Sequence, residues 1–513
     1  MSHWIILPIV LPALLAPFII MVIRHHLDLQ RVFSVAGAVV LTAVSFGLVA
    51  HAATGEITVY ELGDWPAPFG IVLVLDRLSA LMVALTSVLA LAVLLYAIWS
   101  RWDERGRHFH ALFQFQLMGI LGAFLTGDAF NLFVFFEVLL IASYGLMIHG
   151  GGGTRLRAGT QYVIYNLVGS TLFLFALGTL YSVTGTLNMA DLAVKLGNLP
   201  EEHVALARVG GIMLLLVFGV KAAVLPLHFW LPASYANAPA PVAALFAIMT
   251  KVGAYALLRM YTLAFAPGSA VSEDLVGHWM IYAALLTLVV GMVGILGARS
   301  IARMVAFAAI GSMGTLLIAI ALFTPAGTAA ALYYVVHSTL ATAALFLIAD
   351  LVIERRGEAI AARPPMAHGG VVASVYFAAA IAMAGMPPLS GFLGKLLVLD
   401  AARAAPQAVL IWAVILITSL VAILGLARAG SLIFWKAHDA ATEPPEDSGQ
   451  CRAGDEAAAA PPRLPFVPAF ALLALLVALT FFAGPAMQYA EATAAQLHAP
   501  EGYISAVLKG AGS

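Results

Sequence analysis

Long uninterrupted apolar segments constrain this chain more than any other feature of its sequence. Stretches of roughly 20 to 30 apolar residues recur along it, which is the length a helix needs to cross about 30 Å of hydrocarbon. Charged residues make up only 10% of the chain, against about 25% in a soluble protein. The alternating ten-residue pattern of a barrel strand is absent from the sequence. The sequence therefore predicts an all-α polytopic membrane protein.

Fourteen membrane spans can be drawn along the chain. The first is not preceded by a basic segment and is followed by Arg24, so we expect it to remain as an anchor rather than be removed as a signal peptide. Between spans, residues 188–202 are typical of a short amphipathic surface helix, and residues 437–464 of a disordered linker. The predicted spans cover residues 4–23, 32–53, 73–99, 110–127, 129–149, 160–184, 204–228, 238–264, 276–297, 301–323, 327–353, 370–400, 407–434 and 465–488.

Basic residues outside the spans are divided unequally between the two sides of the membrane. If consecutive loops alternate sides, one side has sixteen of the 25 Lys and Arg residues and the other side has six. Because cytoplasmic loops are enriched in Lys and Arg, the first set is predicted to be cytoplasmic and both termini to face outward. The side with sixteen basic residues is called the arginine-rich end below. Its residues are Arg24, Arg31, Arg101, Arg105, Arg107, Arg155, Arg157, Arg299, Arg303, Arg355, Arg356, Arg363, Arg428, Lys436, Arg452 and Arg463. The six on the other side are Arg77, Lys195, Arg208, Arg259, Arg403 and Lys509.

Five spans contain an ionisable side chain at depth, where such a group is costly unless it faces a polar path. These residues are Glu137 in span five, Lys221 in span seven, Lys251 in span eight, His337 in span eleven and Lys395 in span twelve. No other span is expected to hold a charge at comparable depth.

A set of this composition is suited to moving protons. Burial in a medium of low dielectric disfavours the charged form of an amine, so a buried lysine releases its proton more readily than one in water. A nearby carboxylate reverses this effect, and an imidazole can relay between such groups because it titrates near neutral pH. Each residue alone also has a structural interpretation, since a lysine or a histidine can simply bind the carbonyls of a helix.

Three tyrosines are candidates for the lining of the same path. Tyr255 lies four residues from Lys251 and Tyr333 lies four residues from His337, so each pair shares a helix face. Tyr144 lies two turns beyond the glutamate of span five.

Four further ionisable residues lie nearer to the ends of spans. His149 and His228 are expected to be interfacial, although His228 could also serve an uptake route. Asp350 and Glu354, near the end of span eleven, are expected to be solvated.

Prolines interrupt spans seven and twelve, at Leu225–Pro226 and at residues 386–388. Proline removes a backbone donor, and irregular backbone at membrane depth is tolerated only where protein or water satisfies it. Two broken helices five spans apart, each close to a lysine, are typical of an inverted repeat. The chain is accordingly divided into residues 1–109 (spans one to three), 110–264 (first repeat, spans 4–8), 276–434 (second repeat, spans 9–13), 437–464 (cytoplasmic linker) and 465–488 (last span).

Three segments carry a resemblance to a known family, namely FFEVLLIASYGL, FGVKAAVLPLHFWLPASYANAPAPVAALFAIMTKVGAYALLR and GMPPLSGFLGKLLVL. With these motifs the chain closely resembles the D subunits of the multisubunit Mrp-type (Pha or Mnh) cation/proton antiporters. These belong to the wider superfamily of antiporter-like subunits of respiratory complex I. The resemblance extends over essentially the whole chain. It implies fourteen helices, two inverted five-helix repeats and broken helices seven and twelve.

The resemblance also implies roles for the buried residues. It implies an ion pair between spans five and seven, which falls on Glu137 and Lys221, and it places the central lysine, the histidine and the last lysine of a proton path at Lys251, His337 and Lys395. Some relatives carry a further lysine a little over a turn beyond the histidine. That position is Thr342 here, so the relay in the second half would depend on His337 and water.

Residues and resemblance together predict a proton-translocating subunit of a Na⁺ (monovalent cation)/H⁺ antiporter that serves pH homeostasis in the bacterial inner membrane. Its partners would be sister Mrp subunits, protons and Na⁺; it is not expected to be an enzyme or to bind a cofactor, a metal or nucleic acid. One alternative is a proton-pumping subunit of complex I or of a membrane-bound hydrogenase. Another is a structural scaffold subunit that does not conduct. A stand-alone transporter of an organic solute is disfavoured, because the sequence shows no roomy polar site.

Overall fold

A computed structural model describes residues 2–266, 271–272, 277–436 and 463–509 of the 513-residue chain. Most of the described chain is helical, as predicted. The sequence analysis did not foresee the two-stranded antiparallel sheet of β1 (Thr58–Glu61) and β2 (Val72–Leu75). All four residues of β2 are buried, and a short apolar run of this kind does not distinguish a strand from the start of a helix. The third predicted span therefore begins as a strand and becomes helical at Arg77.

The helices of the first half are α1 (Leu7–Met21), α2 (Leu27–Ala52), α3 (Arg77–Trp99), α4 (Phe109–Leu125), α5 (Ala129–Met147), α6 (Gly153–Thr184), α7 (Met189–Gly197), α8 (Glu201–Lys221), α9 (Trp230–Asn237) and α10 (Ala240–Leu263). Those of the second half are α11 (Gly277–Gly297), α12 (Ile301–Ala321), α13 (Pro325–Arg356), α14 (Gly369–Ala384), α15 (Ser390–Ala401), α16 (Ala408–Gly430), α17 (Phe466–Phe481), α18 (Ala483–Leu497) and α19 (Glu501–Leu508). Short 3-10 turns lie at Ser2–Trp4, Leu62–Asp64, Asp103–Arg105 and Ala402–Ala404, and a π-helical turn, Ser431–Trp435, follows α16.

Every predicted span coincides with at least one of these helices. Within the described residues, ten helices are long and apolar enough to cross a membrane, or eleven spans if α17 and α18 are taken as one. Helices α1, α4 and α14 are apolar but have only 15, 17 and 16 residues. The protein is thus a polytopic helical membrane protein with ten or eleven long spans, and the count of fourteen stays a prediction.

The last predicted span is not one continuous helix, which corrects the sequence analysis. The chain bends by 78° between α17 and α18. The apolar run stops near Phe482, and α18 buries only one face, formed by Ala490, Thr493, Ala494 and Leu497. The long apolar stretch of the last predicted span therefore ends at this bend. The linker predicted at 437–464 lies outside the described residues except for its last two positions.

Both interruptions predicted at prolines are confirmed. Helix α8 ends at Lys221 and the chain becomes helical again at Trp230, and α14 ends at Ala384 and is followed by α15 from Ser390. Whether the two halves are inverted repeats stays a prediction.

The loops assigned to the arginine-rich end bind one another. Arg31 of α2 donates to Asp103 in the α3–α4 connection, at 2.6 Å, and Arg105 donates to Glu354 of α13, at 3.3 Å. Burial by itself raises the pKa of Asp103, but hydrogen bonds from His110 and Arg31 outweigh burial and hold this pKa below its ordinary value. The carboxylate therefore stays ionised and ties the two loops together. The side of the membrane on which this end lies stays a prediction.

Three helices form a central column that is almost completely enclosed by protein. Within the 18-residue apolar stretch of each helix, all residues of α10, 94% of those of α12 and 89% of those of α13 are buried. In α2 and α16 only 33% are buried. Since α10 and α13 carry Lys251 and His337, these residues are shielded from lipid by the rest of the fold.

Candidate functional site

Lys221 lies at the point where the first broken helix stops. It is the last residue of α8 and is 5% exposed. Its Nζ donates a hydrogen bond to Oδ1 of Asn166 on α6, at 3.1 Å, and lies 5.7 Å from the centre of the Phe136 ring. The helix break places the amine beside a neutral amide and an aromatic face, and sequence analysis did not anticipate Asn166 as its partner.

The backbone of this first break is satisfied by side chains. The indole of Trp230 donates to the Val220 carbonyl at 3.0 Å, and the amide of Leu225 donates to the hydroxyl of Thr287 on α11 at 2.9 Å. Protein groups thus replace the helical hydrogen bonds that end at Lys221, which is what an interruption at membrane depth requires.

Glu137 lies on α5, one residue after Phe136, and is partly buried. The ion pair that the resemblance implies is not formed: among the described residues, no carboxylate lies within 4.0 Å of the Lys221 amine. The Oε1 atom of Glu137 is buried and has no hydrogen-bond partner in the described part of the chain, yet the residue is within electrostatic range of Lys221. The glutamate and the lysine are therefore neighbours without being paired.

Lys251 is completely buried in the central column, and its Nζ has no hydrogen-bond partner among the described residues. Helix α10 reaches the first break here. A Cβ atom at Gly253 would lie 3.0 Å from Cβ of Lys221 and 2.7 Å from the amide nitrogen of Ala222. Lys221 and Lys251 therefore lie on segments of the chain that contact each other directly. A cavity of about 20 Å³ adjoins Lys251, which is enough for one water molecule.

His337 of α13 connects the centre of the protein to the second break. The ring is 1% exposed, and its Nδ1 lies 2.9 Å from the hydroxyl oxygen of Ser390, the first residue of α15. It is within electrostatic range of both Lys251 and Lys395. A Cβ atom at position 391 would lie 2.9 Å from the ring, so Gly391 allows the histidine to approach the break.

Lys395 is held by the second break itself. Its Nζ donates to the carbonyl of Ala384, the last residue of α14, at 2.7 Å and to the hydroxyl of Ser419 on α16 at 2.8 Å. Gly385 has φ = +77°, and a Cβ atom there would lie 2.7 Å from Cδ of the lysine. Only glycine fits this position without strain.

The candidate path-lining residues are placed as follows. The Tyr255 hydroxyl donates to the Phe124 carbonyl at 2.7 Å and accepts from Nε of Arg259 at 3.4 Å. The Tyr333 hydroxyl donates to the Leu479 carbonyl at 3.2 Å, so neither hydroxyl is bonded to the lysine or histidine four residues away. Tyr144 is partly buried, with its ring centre 5.5 Å from that of Tyr162. The structure brings these tyrosines near the path but bonds two of them to helix carbonyls.

Two other polar candidates each carry a buried atom with no hydrogen-bond partner among the described residues. These atoms are Oγ1 of Thr342 and Nδ1 of His228, which lies inside the first break and is 6% exposed. His149 is 7% exposed and binds the Trp102 carbonyl. Protein covers both histidines, and their position at the membrane interface stays a prediction.

Spans eight and eleven each bury a further charged side chain that the sequence analysis did not single out as buried. Arg259 of α10 is 3% exposed and donates two hydrogen bonds, of 2.6 and 2.9 Å, to Asp76, which caps α3. Asp350 of α13 is 4% exposed rather than solvated, whereas Glu354 is exposed as expected. Sequence position alone did not reveal the side chains that cover Asp350.

Comparison with known proteins identifies the family. Residues 126–421 match the family model described as NADH:quinone oxidoreductase/Mrp antiporter, TM. The chain is 38% identical to the D subunit of a probable K⁺/H⁺ antiporter from Rhizobium meliloti (strain 1021), over 99% of this chain and 98% of that one. It is 39% identical to the D subunit of a Na⁺/H⁺ antiporter from Bacillus subtilis (strain 168), over 99% and 100%. The chain belongs to the family of Mrp antiporter D subunits.

Solved structures agree with this membership. The Mrp-family fold of this chain superposes on a chain of the Mrp complex from Dietzia sp. DQ12-45-1b with a TM-score of 0.85 and 28% identity, covering 99% of this chain and 100% of that chain. Against respiratory complex I from Thermus thermophilus the TM-score is 0.76, with 25% identity and coverage of 97% and 99%. The Mrp fold is thus shared with a respiratory enzyme, and the higher sequence identities are to antiporter subunits.

Proposed function

We propose that this chain is the proton-translocating D subunit of a multisubunit antiporter that exchanges protons for Na⁺ or another monovalent cation. Protons move along Glu137, Lys221, Lys251, His337 and Lys395. The observation that carries the proposal is the unpartnered amine of Lys251, which is fully buried between the two helix breaks. An unpaired lysine in a membrane interior is costly, and such groups commonly serve proton relays.

The first transfer uses the two alternative partners of Lys221. In the described geometry the lysine donates to Asn166, while the carboxylate of Glu137 lies nearby without a bond to its Oε1. In the proposed switch, rotation of these side chains brings the carboxylate and the amine together as an ion pair. The charged lysine is stabilised in the paired arrangement and releases its proton more readily in the amide-bound one.

The later transfers pass through the centre to the second break. Lys251 accepts the proton, because its helix contacts the first break at Gly253. His337 then transfers the proton to Lys395, because the imidazole is within electrostatic range of both lysines. The order of Lys221, Lys251, His337 and Lys395 follows the broken and central helices. Thr342 stands where some relatives have a lysine, so His337 and water serve this part of the path.

The same proposal includes the surroundings of the chain. It would act with sister Mrp subunits in a bacterial inner membrane and serve pH homeostasis, since relatives of similar length are named as subunits of K⁺/H⁺ or Na⁺/H⁺ antiporters. The fourteen spans, the inverted repeats 110–264 and 276–434, and outward-facing termini belong to the proposal. So does the expectation that the chain is not an enzyme and contains no redox centre.

Cation-dependent dissipation of a pH gradient tests the proposal. Membrane vesicles containing the full complex are compared with vesicles containing the Lys251→Ala or Lys221→Ala variant. We expect each substitution to reduce exchange by about a hundredfold, since a positioned proton carrier contributes at least that much. Complex assembly is measured in parallel by co-purification of the other subunits.

The alternatives give different results. A scaffold subunit would assemble and support unchanged exchange with Lys221→Ala or Glu137→Ala. A redox-driven pump would move protons only when a respiratory substrate is supplied, and would not respond to added Na⁺ or K⁺. Exchange that survives both lysine substitutions in an assembled complex would overturn the proposed path.

A further inference from the structure

A second cavity lies in the seam between α10, α12 and α13, at the arginine-rich end. Its volume is about 300 Å³, and it is lined by residues of all three helices, including Ala243, Ala302, Phe346 and Asp350. Its rim includes exposed residues such as Gly151 and Glu358 and therefore reaches the protein surface. The proposed path does not use this cavity.

Asp350 is a buried carboxylate in the wall of this cavity. Its Oδ2 atom accepts hydrogen bonds from the Tyr96 hydroxyl and from the Trp102 indole, both at 2.8 Å. Among the described residues, no basic group lies within 4.0 Å of it. A buried ion without a salt bridge is costly, so two neutral donors alone are a weak reason for an aspartate at this position.

Charged groups surround Asp350 at longer range on several elements. Arg105 of the α3–α4 connection, Arg355 of α13 and Arg155 of α6 act on it as positive charges, and Glu354 acts as a negative one. These arginines favour the ionised carboxylate without binding it, which leaves it able to take up a proton from the cavity.

The inner part of the same seam leads to Lys251. The cavity of about 20 Å³ beside this lysine is lined by Leu316 of α12 and by Leu332 and Val335 of α13. Because the small cavity also contacts Ala254 and Leu258 of α10, it extends from Lys251 away from the large cavity, and the lysine lies between the two cavities along the seam.

Thr342 occupies the stretch of α13 between the two cavities. It lies eight residues before Asp350, which corresponds to about 12 Å along the helix, and seven residues after Val335. Its hydroxyl is buried without a partner. Buried polar groups are almost always satisfied by protein or by water, so this unpartnered hydroxyl marks a polar position between the carboxylate and the lysine.

We propose that this seam is the proton-uptake branch for Lys251, with Asp350 as the loading carboxylate and the Thr342 hydroxyl as an intermediate relay. The inference rests on the proposed function. A proton leaves water in the large cavity and binds a carboxylate oxygen of Asp350. It then passes through water and the hydroxyl of Thr342, which accepts one proton as it donates another, and forms an N–H bond on the neutral amine of Lys251.

The test measures exchange in vesicles containing the whole complex with the Asp350→Asn variant. The asparagine oxygen can still accept from Tyr96 and Trp102, but it cannot carry the proton. We expect about a tenfold loss of exchange, which is less than the full contribution of a positioned proton carrier, because water in the large cavity can still deliver protons directly. The remaining exchange should have its optimum at a lower pH on the arginine-rich side, since uptake directly from water depends on proton concentration.

Matched variants separate a proton carrier from a structural group. Glu358→Gln removes a second carboxylate of the same cavity and should leave exchange unchanged. Thr342→Val should reduce exchange severalfold, whereas Thr339→Val should not, because the Thr339 hydroxyl only binds the Val335 carbonyl of its own helix, at 2.7 Å. Tyr96→Phe removes one hydrogen bond to Asp350 but keeps the carboxylate, and should retain the wild-type pH optimum.

Each outcome decides the inference. Wild-type exchange in Asp350→Asn would overturn it, and so would a loss and a pH shift in Tyr96→Phe equal to those in Asp350→Asn. The proposed function stays intact in either case if Lys251→Ala is inactive. If Lys251→Ala is also active in an assembled complex, the proposed function fails as well. A selective loss in Asp350→Asn and Thr342→Val, with active controls, would support the uptake branch.

Discussion

The two broken helices satisfy their lysines in different ways. Lys395 donates to the Ala384 carbonyl, exposed by the break before its own helix, and to the Ser419 hydroxyl. Lys221 donates to a single side-chain amide, Asn166, and has the carboxylate of Glu137 nearby. A backbone carbonyl moves only if the helix moves, whereas amide and carboxylate side chains can rotate. The first break is therefore suited to exchanging partners, and the second to holding its lysine in place.

Glycine substitutions test this contrast with the largest expected effect. Gly385→Ala places a Cβ atom 2.7 Å from Cδ of Lys395 in a backbone with φ = +77°, a conformation that costs about 1–2 kcal/mol for a residue with a side chain. Gly253→Ala places one 2.7 Å from the Ala222 amide nitrogen, against the first break. Both should abolish most exchange, and Gly385→Ala should also lower the melting temperature of the purified complex.

Gly178→Ala is the matched control, because a Cβ atom there meets no atom within 4 Å. Alanine at this helical position should be neutral or slightly stabilising. If Gly385→Ala keeps wild-type exchange and stability, Lys395 is not fixed by the backbone of the break, and the contrast between the two lysines is lost.

Removal of one partner from each lysine should have an intermediate effect. Asn166→Leu removes the hydrogen-bonding partner of Lys221 at similar size, and we expect roughly a tenfold change in exchange, since hydrogen bonds to charged groups contribute about 1.5–3 kcal/mol. Ser419→Ala should change it less, because the Ala384 carbonyl still binds Lys395. Exchange rates in vesicles, corrected for the amount of complex, provide the comparison. A larger loss in Ser419→Ala than in Asn166→Leu would reverse the assignment of which lysine is held and which is free.

The smallest expected effect concerns the backbone of the breaks. Thr287→Val leaves the Leu225 amide of the first break without its acceptor, which should destabilise the protein by about 1–3 kcal/mol with little effect on exchange per assembled complex. Thr418→Val is the control, because that hydroxyl binds only the Val414 and Ile415 carbonyls of its own helix. Thermal unfolding of the two variants should differ. Equal melting temperatures would show that the first break does not depend on α11.

Sequence reasoning located the buried ionisable residues well, because a charge within an apolar run stands out. It singled out Lys221, Lys251 and Lys395, which are buried in the protein, and the prolines predicted both helix breaks. The family assignment followed from the motifs around those residues and is confirmed by the comparisons. The roles of these residues stay predictions.

Partners from other helices could not be predicted in the same way. Asn166 is polar within an apolar span, and that was a usable signal, but its distance to Lys221 depends on how α6 packs against α8. Asp350 was misjudged because it lies near the end of span eleven, where solvent was expected. Tyr96 and Trp102, which cover it, are about 250 residues away in the chain.

The central column has a consequence for how the protein enters the membrane during synthesis. Helix α10 carries both Lys251 and Arg259, and a Lys or Arg at the centre of an isolated helix adds about 2.5–3.5 kcal/mol to the cost of insertion. In the finished protein the described part of the chain covers this helix completely, but α12 and α13, which supply much of that cover, are translated after it. A ribosome that stalls between α10 and α12 would thus leave a poorly inserted segment at the translocon. Biogenesis of this protein should depend on the second half of the chain arriving before the first half is released into lipid.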